Sequence, residues 1–228
     1  MEFKNELILS ASRKSWKMSS THGTVYDRNF KNSKIANNWK SVWQRDNHSC
    51  YFCNFKSMKH QEIHHLNDDH DDNSMDNLVC VCPLCHQSFH LDTVSVTNGG
   101  KVIWLPEMSQ QELNYLCRAI FIAMEESEQA QLNEQDAVGF SKIARMLLSS
   151  LDERAIVLDE HFRGNSSDPS IFASALLNMS EDAYKRRNQL LQPFKLFHTR
   201  SRFLVQTKYW KNNTFKELPV DSWDKLLT

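Results

Sequence analysis

Four cysteines, Cys50, Cys53, Cys82 and Cys85, stand as two C-x-x-C knuckles separated by residues 54 to 81. Each pair can wrap a tight turn that points both thiolates at one ion, and two such pairs complete a tetrahedral, all-thiolate zinc site. This pattern constrains the fold more than any other feature, because the knuckles must meet in space whatever lies between them. The spacer is longer than a bare zinc ribbon needs and leaves room for a hairpin and a loop. A histidine set, His64-His65 and His86-x-x-x-His90, lies within and just beyond it.

Six cysteines with four in knuckles read as metal ligands in a reducing cytoplasm rather than as a disulfide framework. Cys80 precedes Cys82 by two positions, so on an extended segment it faces the same side. It reads as a buried apolar thiol, with a substitute ligand as the alternative. Cys117 falls on an apolar helix stripe and reads as core. The chain of 228 residues is long enough for one domain or two small ones, and its formal net charge of −1 excludes a wholly basic nucleic-acid coat but not a local basic groove. The opening residues Met1 to Glu6 carry no apolar run behind a basic start, and Ala119 to Met124 is far too short to span a membrane. The expectation is a cytoplasmic protein without direct membrane insertion, held at the inner membrane, if at all, through a partner.

Along the chain, Glu6 to Ser12 and Trp16 to Ser19 read as short strands, and Ile35, Trp39, Val42 and Trp43 recur at helical spacing up to Arg45. Thr93–Val96 and Lys101–Trp104 flank Thr97-Asn98-Gly99-Gly100, which predicts a hairpin. Everything beyond reads as helical. Ser109-Gln110-Gln111-Glu112 is a capping box, and Leu113, Leu116, Cys117, Ile120, Phe121 and Met124 form one stripe. Glu125 to Gln135 reads as a flexible connection. A helix follows from Val138 to about Phe162, ended by Gly164, and Asp168 with Pro169 starts another. From Glu181 onward the tail is basic and aromatic; it reads as a solvated helix face with Phe203, Leu204 and Trp210 inward, or else as a grip for a phosphate backbone. The expected division is residues 1–37 as lead-in, 38–107 as metal module with its hairpin, and 108–228 as helical region.

Arg45-Asp46, Ile63-His64-His65, Asp76-Asn77-Leu78, and Cys82-Pro83-Leu84-Cys85-His86 followed by His90 resemble the HNH (ββα-metal) nuclease pattern over residues 38 to 92. The resemblance implies an α+β fold with a treble-clef-like ββα zinc module. It implies that His64, His86 and His90 hold a second divalent metal, that His65 is a general base and that Asn77 holds the loop. The i, i+4 spacing of His86 and His90 favours one shared helix face independently. The acidic run Asp68, Asp69, Asp71 and Asp72 lacks the spacing of a calcium loop, reads as a solvated turn, and would repel a nucleic-acid backbone.

A longer resemblance spans residues 38 to 175. Gln44-Arg45-Asp46, Asp76-Asn77-Leu78-Val79, Val102 to Met108, the capped helix from Glu112 to Phe121, and Ser167-Asp168-Pro169-Ser170-Ile171-Phe172 are similar to the DotN (IcmJ) family of the Dot/Icm type IVB secretion system. That likeness implies an HNH-like zinc fold used as a scaffold in a coupling complex. The scaffold would bind the C-terminal tail of the coupling ATPase and other coupling-complex subunits, and help recruit effectors. Family members keep the zinc cysteines without needing the histidines; this chain has both. The alternative is an HNH endonuclease acting on DNA. A third reading is a sequence-tolerant nucleic-acid-binding zinc protein without catalysis.

Overall fold

The computed structural model describes residues 5–13, 33–129, 139–162 and 164–226. Helix α1 (Ser33–Arg45) leads into a turn and then strands β1 (Glu62–His65) and β2 (Leu78–Val81), which pair antiparallel with His65 opposite Leu78 and Glu62 opposite Val81. Short helices α2 (Pro83–Gln87) and α3 (Leu91–Val94) follow. Strand β3 (Gly100–Trp104) precedes the long helices α4 (Gln110–Gln129) and α5 (Gly139–Phe162). Then come α6 (Pro169–Asn178), α7 (Glu181–Lys185), α8 (Arg187–Leu191), strand β4 (Phe194–His198) and α9 (Leu204–Tyr209). The chain is α+β, with long helices and small two-stranded sheets.

Helix α4 is the axis. Its start is closed by reciprocal bonds: Ser109 donates through N and Oγ to Glu112 Oε2, while Glu112 N donates to Ser109 Oγ. A cap of this kind stabilises a helix by about 1 kcal/mol. The predicted stripe is buried at Leu113, Cys117, Ile120, Phe121 and Met124, with Leu116 packed beside it. These side chains meet Cys50, Phe52, Cys53, Phe55, Cys82, Leu84 and Cys85 from one end of the sequence, and Phe197, Phe203 and Trp210 from the other, in one core. A smaller core joins Leu9, Ala11, Leu91, Val94, Leu176 and Leu196. A third sits under α1, where Trp39 and Val42 cover Ile63, Leu78 and Cys80.

The predicted hairpin after residue 92 is absent. Leu91–Val94 is helical, and β3 pairs with β4, nearly a hundred residues away, with Gly100 opposite His198 and Trp104 opposite Phe194. The region beyond residue 108 is therefore not wholly helical. The glycines serve a close approach rather than a turn: a Cβ on Gly100 would lie 2.6 Å from the Phe197 carbonyl oxygen. Glu6 to Ser12 forms no strand, though Ser10 N donates to Ser88 O (3.0 Å) and Leu91 N to Ser10 O (3.1 Å). Trp16 to Ser19 lies outside the described residues.

Nor does the flexible connection expected from Glu125 to Gln135 begin at Glu125, and its part from residue 130 on lies outside the described residues. Helix α4 runs on to Gln129, because Glu125 meets Arg200 at 3.2 Å and Glu126 meets Lys211 at 2.7 Å. These partners come from the basic tail. Asp168 caps α6 by accepting from Ser170 N at 2.8 Å, with Pro169 in its first turn. In the tail, Phe203 and Trp210 are buried. Among the described residues no helix is long and apolar enough to cross a membrane.

Candidate metal centres

The first knuckle is a closed turn. Cys50 N donates to Phe55 O (2.9 Å) and Asn54 N to Cys50 O (2.8 Å), with Asn54 in the left-handed region at φ 59° that asparagine tolerates. The second is a helix start. Cys82 is the N-cap of α2, Pro83 supplies a pre-set φ in the first turn, and His86 N donates to Cys82 O at 2.9 Å. The knuckles are tied together by Tyr51 N donating to Cys80 O at 2.8 Å.

Arg45 and Asp46 hold this frame to α1. The guanidinium donates to the Met75 and Leu78 carbonyls (2.6 and 2.7 Å) and to both carboxylate oxygens of Asp46 (2.7 and 3.0 Å). Asp46 Oδ2 in turn accepts from Cys80 N at 2.8 Å. The Arg-Asp pair read from the sequence as a signature is thus a clamp on the β-hairpin.

Cys50, Cys53, Cys82 and Cys85 are all buried, with their sulfurs within 4.8 Å of one another. Cys53 and Cys82 sulfurs are 3.7 Å apart. That is far too long for a disulfide at about 2.05 Å. It is the edge, roughly 3.8 Å, of a tetrahedron with metal–sulfur bonds of about 2.3 Å. The donor set therefore fits a thiolate-bound metal. Cys80 turns the other way, into the core under α1, and is not part of the group. Burial pushes the Cys80 and Cys117 thiols up to about 12, so both stay neutral.

A second group forms beside the first. Ligand nitrogens of His64, His86 and His90 lie within 4.8 Å of one another. His64 comes from β1 and stacks on Phe89 (centroids 4.2 Å apart). Burial, with His86, His65 and His70 adding repulsion, lowers His64 to about 2, so the imidazole is neutral and able to ligate. His86 and His90 do not share one helix: α2 ends at Gln87, and His90 caps α3 at φ −128°. A turn in which His90 N donates to Gln87 O (3.1 Å) still brings the two Nε2 atoms to 3.2 Å.

Their outer nitrogens are engaged. His86 Nδ1 lies 2.5 Å from Glu62 Oε2, and His90 Nδ1 lies 2.7 Å from Ser12 Oγ. This is how metal-ligating imidazoles are oriented, with one nitrogen fixed by an oxygen and the other aimed at the ion. The set fits a divalent metal.

His65, the next residue on β1, points away from this group and its Nε2 lies 3.4 Å from Asn73 Oδ1. Burial lowers it to about 4, so it is neutral near pH 7. Asn77 closes the loop below: its Oδ1 accepts from Asn67 N (3.0 Å) and its Nδ2 donates to Asp72 O (2.8 Å). The acidic run is turn chemistry, with Asp69 accepting from Asp71 N and Asp72 from Ser74 N.

Sequence reasoning missed the groups that surround the cysteine cluster. On α4, Asn114 Nδ2 donates to Cys85 Sγ (3.3 Å), Arg118 Nη2 donates to Cys82 Sγ (3.4 Å), and the Tyr115 hydroxyl donates to Cys53 O. Gln110, Asn114 and Arg118 recur every four residues beside an apolar stripe, and that spacing was the available signal. Glu62 and Ser12 gave none.

No protein-family model matches the chain. It is 30% identical over 215 residues to the type 4 apparatus protein DotN of Legionella pneumophila subsp. pneumophila, and the match covers 93% of this chain and 92% of that protein. Extending almost end to end, that likeness means that the chain belongs to the DotN family.

Proposed function

We propose that the chain is a zinc-braced scaffold subunit of a Dot/Icm type IVB coupling complex. In this reading it docks on the C-terminal tail of the coupling ATPase and helps to recruit effectors. The observation that carries the reading is the end-to-end likeness to DotN, which takes in the helical half as well as the knuckles. Cys50, Cys53, Cys82 and Cys85 hold zinc in an HNH-like ββα module, and the metal keeps β2, α2 and α4 in fixed relation. The protein sits in the cytoplasm and reaches the inner membrane through the ATPase.

The dock is a groove of about 260 Å³ between the extended N-terminal segment and the start of α4. Leu7, Leu9, Met108, Leu191 and Phe194 give it apolar walls, and Glu6, Glu107 and the buried Lys195 add charged groups to its lining. Trp104 stands half-exposed on the Phe194 ring (centroids 5.4 Å), whereas Leu105 is buried. An extended tail segment that orders on binding suits such a surface. Co-expression with the C-terminal tail of the cognate ATPase should give a complex that survives His65→Ala and His86→Ala and is weakened by Trp104→Asp. Loss of tail binding in both histidine variants would count against a dock separate from the histidine centre.

The histidine geometry favours a second reading, an HNH endonuclease acting on DNA. A divalent metal held by His64, His86 and His90 would supply charge neutralisation at a phosphate. His65, neutral near pH 7, would accept the proton of an attacking water, and Asn77 would keep the loop in place. Plasmid nicking with magnesium, manganese or nickel that is abolished by His65→Ala would establish it. Absence of nicking in all three metals leaves the scaffold.

A further inference from the structure

Arg118 is only 1% exposed, yet among the described residues no carboxylate pairs with it. Its Nε and Nη1 have no hydrogen-bond partner. A buried cation in this state is costly unless a counter-charge lies close by. The groups that enclose it are three rings and a sulfur. The guanidinium carbon lies 3.7 Å from the Phe55 ring centroid, 5.2 Å from that of Tyr115 and 5.4 Å from that of Trp210, and Nη2 reaches Cys82 Sγ at 3.4 Å.

The cysteine cluster has the opposite imbalance. Four thiolates around one divalent ion leave two surplus negative charges in a site with no exposed ligand. One turn before Arg118 on the same face of α4, Asn114 donates to a second sulfur of the cluster. Each imbalance is the remedy for the other. We propose that Arg118 is the counter-cation of the four-cysteine metal centre, acting with Asn114 as a positioning residue that lowers the electron density of the thiolates and slows loss of the metal. The inference rests on the zinc reading above.

Its structural consequence is a link between distant parts of the chain. Phe55 follows the first knuckle, Arg118 belongs to α4, and Trp210 belongs to the tail, so the cation joins three segments around one ion. Aromatic faces attract a cation through their quadrupole and exclude water that would otherwise screen it.

The test uses the full chain with cobalt(II) as the probe, because its thiolate-to-metal charge-transfer band reports sulfur electron density. Arg118→Met should release metal to a chromophoric chelator at least about tenfold faster, within the range seen when groups that orient metal ligands are removed. Its charge-transfer band should move to lower energy. Arg118→Lys, which keeps the charge, should recover most of both effects, and Asn114→Ala should move the band less. If Arg118→Met does not fold, Arg118→Lys and Asn114→Ala carry the same readouts. A wild-type band and release rate in metal-loaded Arg118→Met, or in both other variants where that one does not fold, would overturn the proposal alone. A wild-type chain that takes no cobalt on its cysteines overturns the zinc reading and this proposal with it.

Discussion

Glu62 Oε2 lies 2.5 Å from His86 Nδ1, across from the edge of the imidazole that faces His90. The carboxylate fixes which nitrogen carries the proton and leaves Nε2 to face the other histidines. Glu62→Gln should therefore weaken divalent metal binding at His64, His86 and His90 by about 10- to 100-fold. Metal held by the cysteines should not change. Competition with a calibrated chelator checks both numbers on one sample; equal affinity in the variant would separate Glu62 from the site.

Cys53→Ser and Cys85→Ser should give insoluble or protease-sensitive protein. A structural zinc contributes on the order of 10 kcal/mol to folding, comparable with the whole net stability of a domain. The knuckles lie in the same core as α4, so the loss would spread into the helical half. A metal-free Cys53→Ser chain that melts cooperatively near the wild-type temperature would contradict this.

Gly100→Ala should destabilise the chain by about 2 kcal/mol, in the range of forced overpacking. Its new Cβ would meet the Phe197 carbonyl oxygen at 2.6 Å and the Leu196 side chain at 2.9 Å, and a strand carbonyl cannot step aside without breaking the β3–β4 pairing. Denaturant melts of the two metal-loaded proteins would measure the difference. An unchanged midpoint would mean that the strands are not in register as described.

His198 gives the fold an acid-sensitive element. It is buried on β4, its Nε2 lies 2.9 Å from Asn114 Oδ1 and its Nδ1 2.8 Å from Gln87 Oε1, and burial lowers it to about 3. The unfolded chain, with an ordinary histidine near 6.5, takes up a proton that the folded chain refuses. Stability from this residue is thus fully present above about pH 6.5 and falls as pH drops below it, levelling off only near pH 3. At pH 5 the loss is on the order of 2 kcal/mol. His198→Gln should lose less stability than the wild type between pH 7 and 5, so that the wild-type-minus-variant difference falls across this range; parallel curves would contradict the assignment.

Much of this was legible because the decisive signals are local. The knuckles, the Ser109–Glu112 cap, the Asp168-Pro169 start and the α4 stripe each depend on neighbours within a turn or two, and each formed as read. The errors were non-local. Asn98-Gly99-Gly100 carries the composition of a hairpin turn, but the glycines answer to Phe197 and Gln87. Glu125 and Glu126 looked like a flexible link because Arg200 and Lys211 lie 75 and 85 residues away. The clustering of His64, His86 and His90 was readable from spacing, although His86 and His90 meet across a helix end rather than along one helix. Arg118 was hidden because a lone cation beside an apolar stripe normally marks the edge of a helix face rather than its centre.

The central claim, a metal-braced subunit that docks on an ATPase tail, is tested most directly by calorimetric titration of the purified, metal-loaded chain with the synthetic C-terminal tail of its cognate coupling ATPase. The account predicts saturable one-to-one binding with a negative heat-capacity change. That binding should be retained in His86→Ala and lost when chelation strips the cysteine site. No heat of binding to the tail, together with metal-dependent plasmid nicking that His65→Ala abolishes, would contradict it.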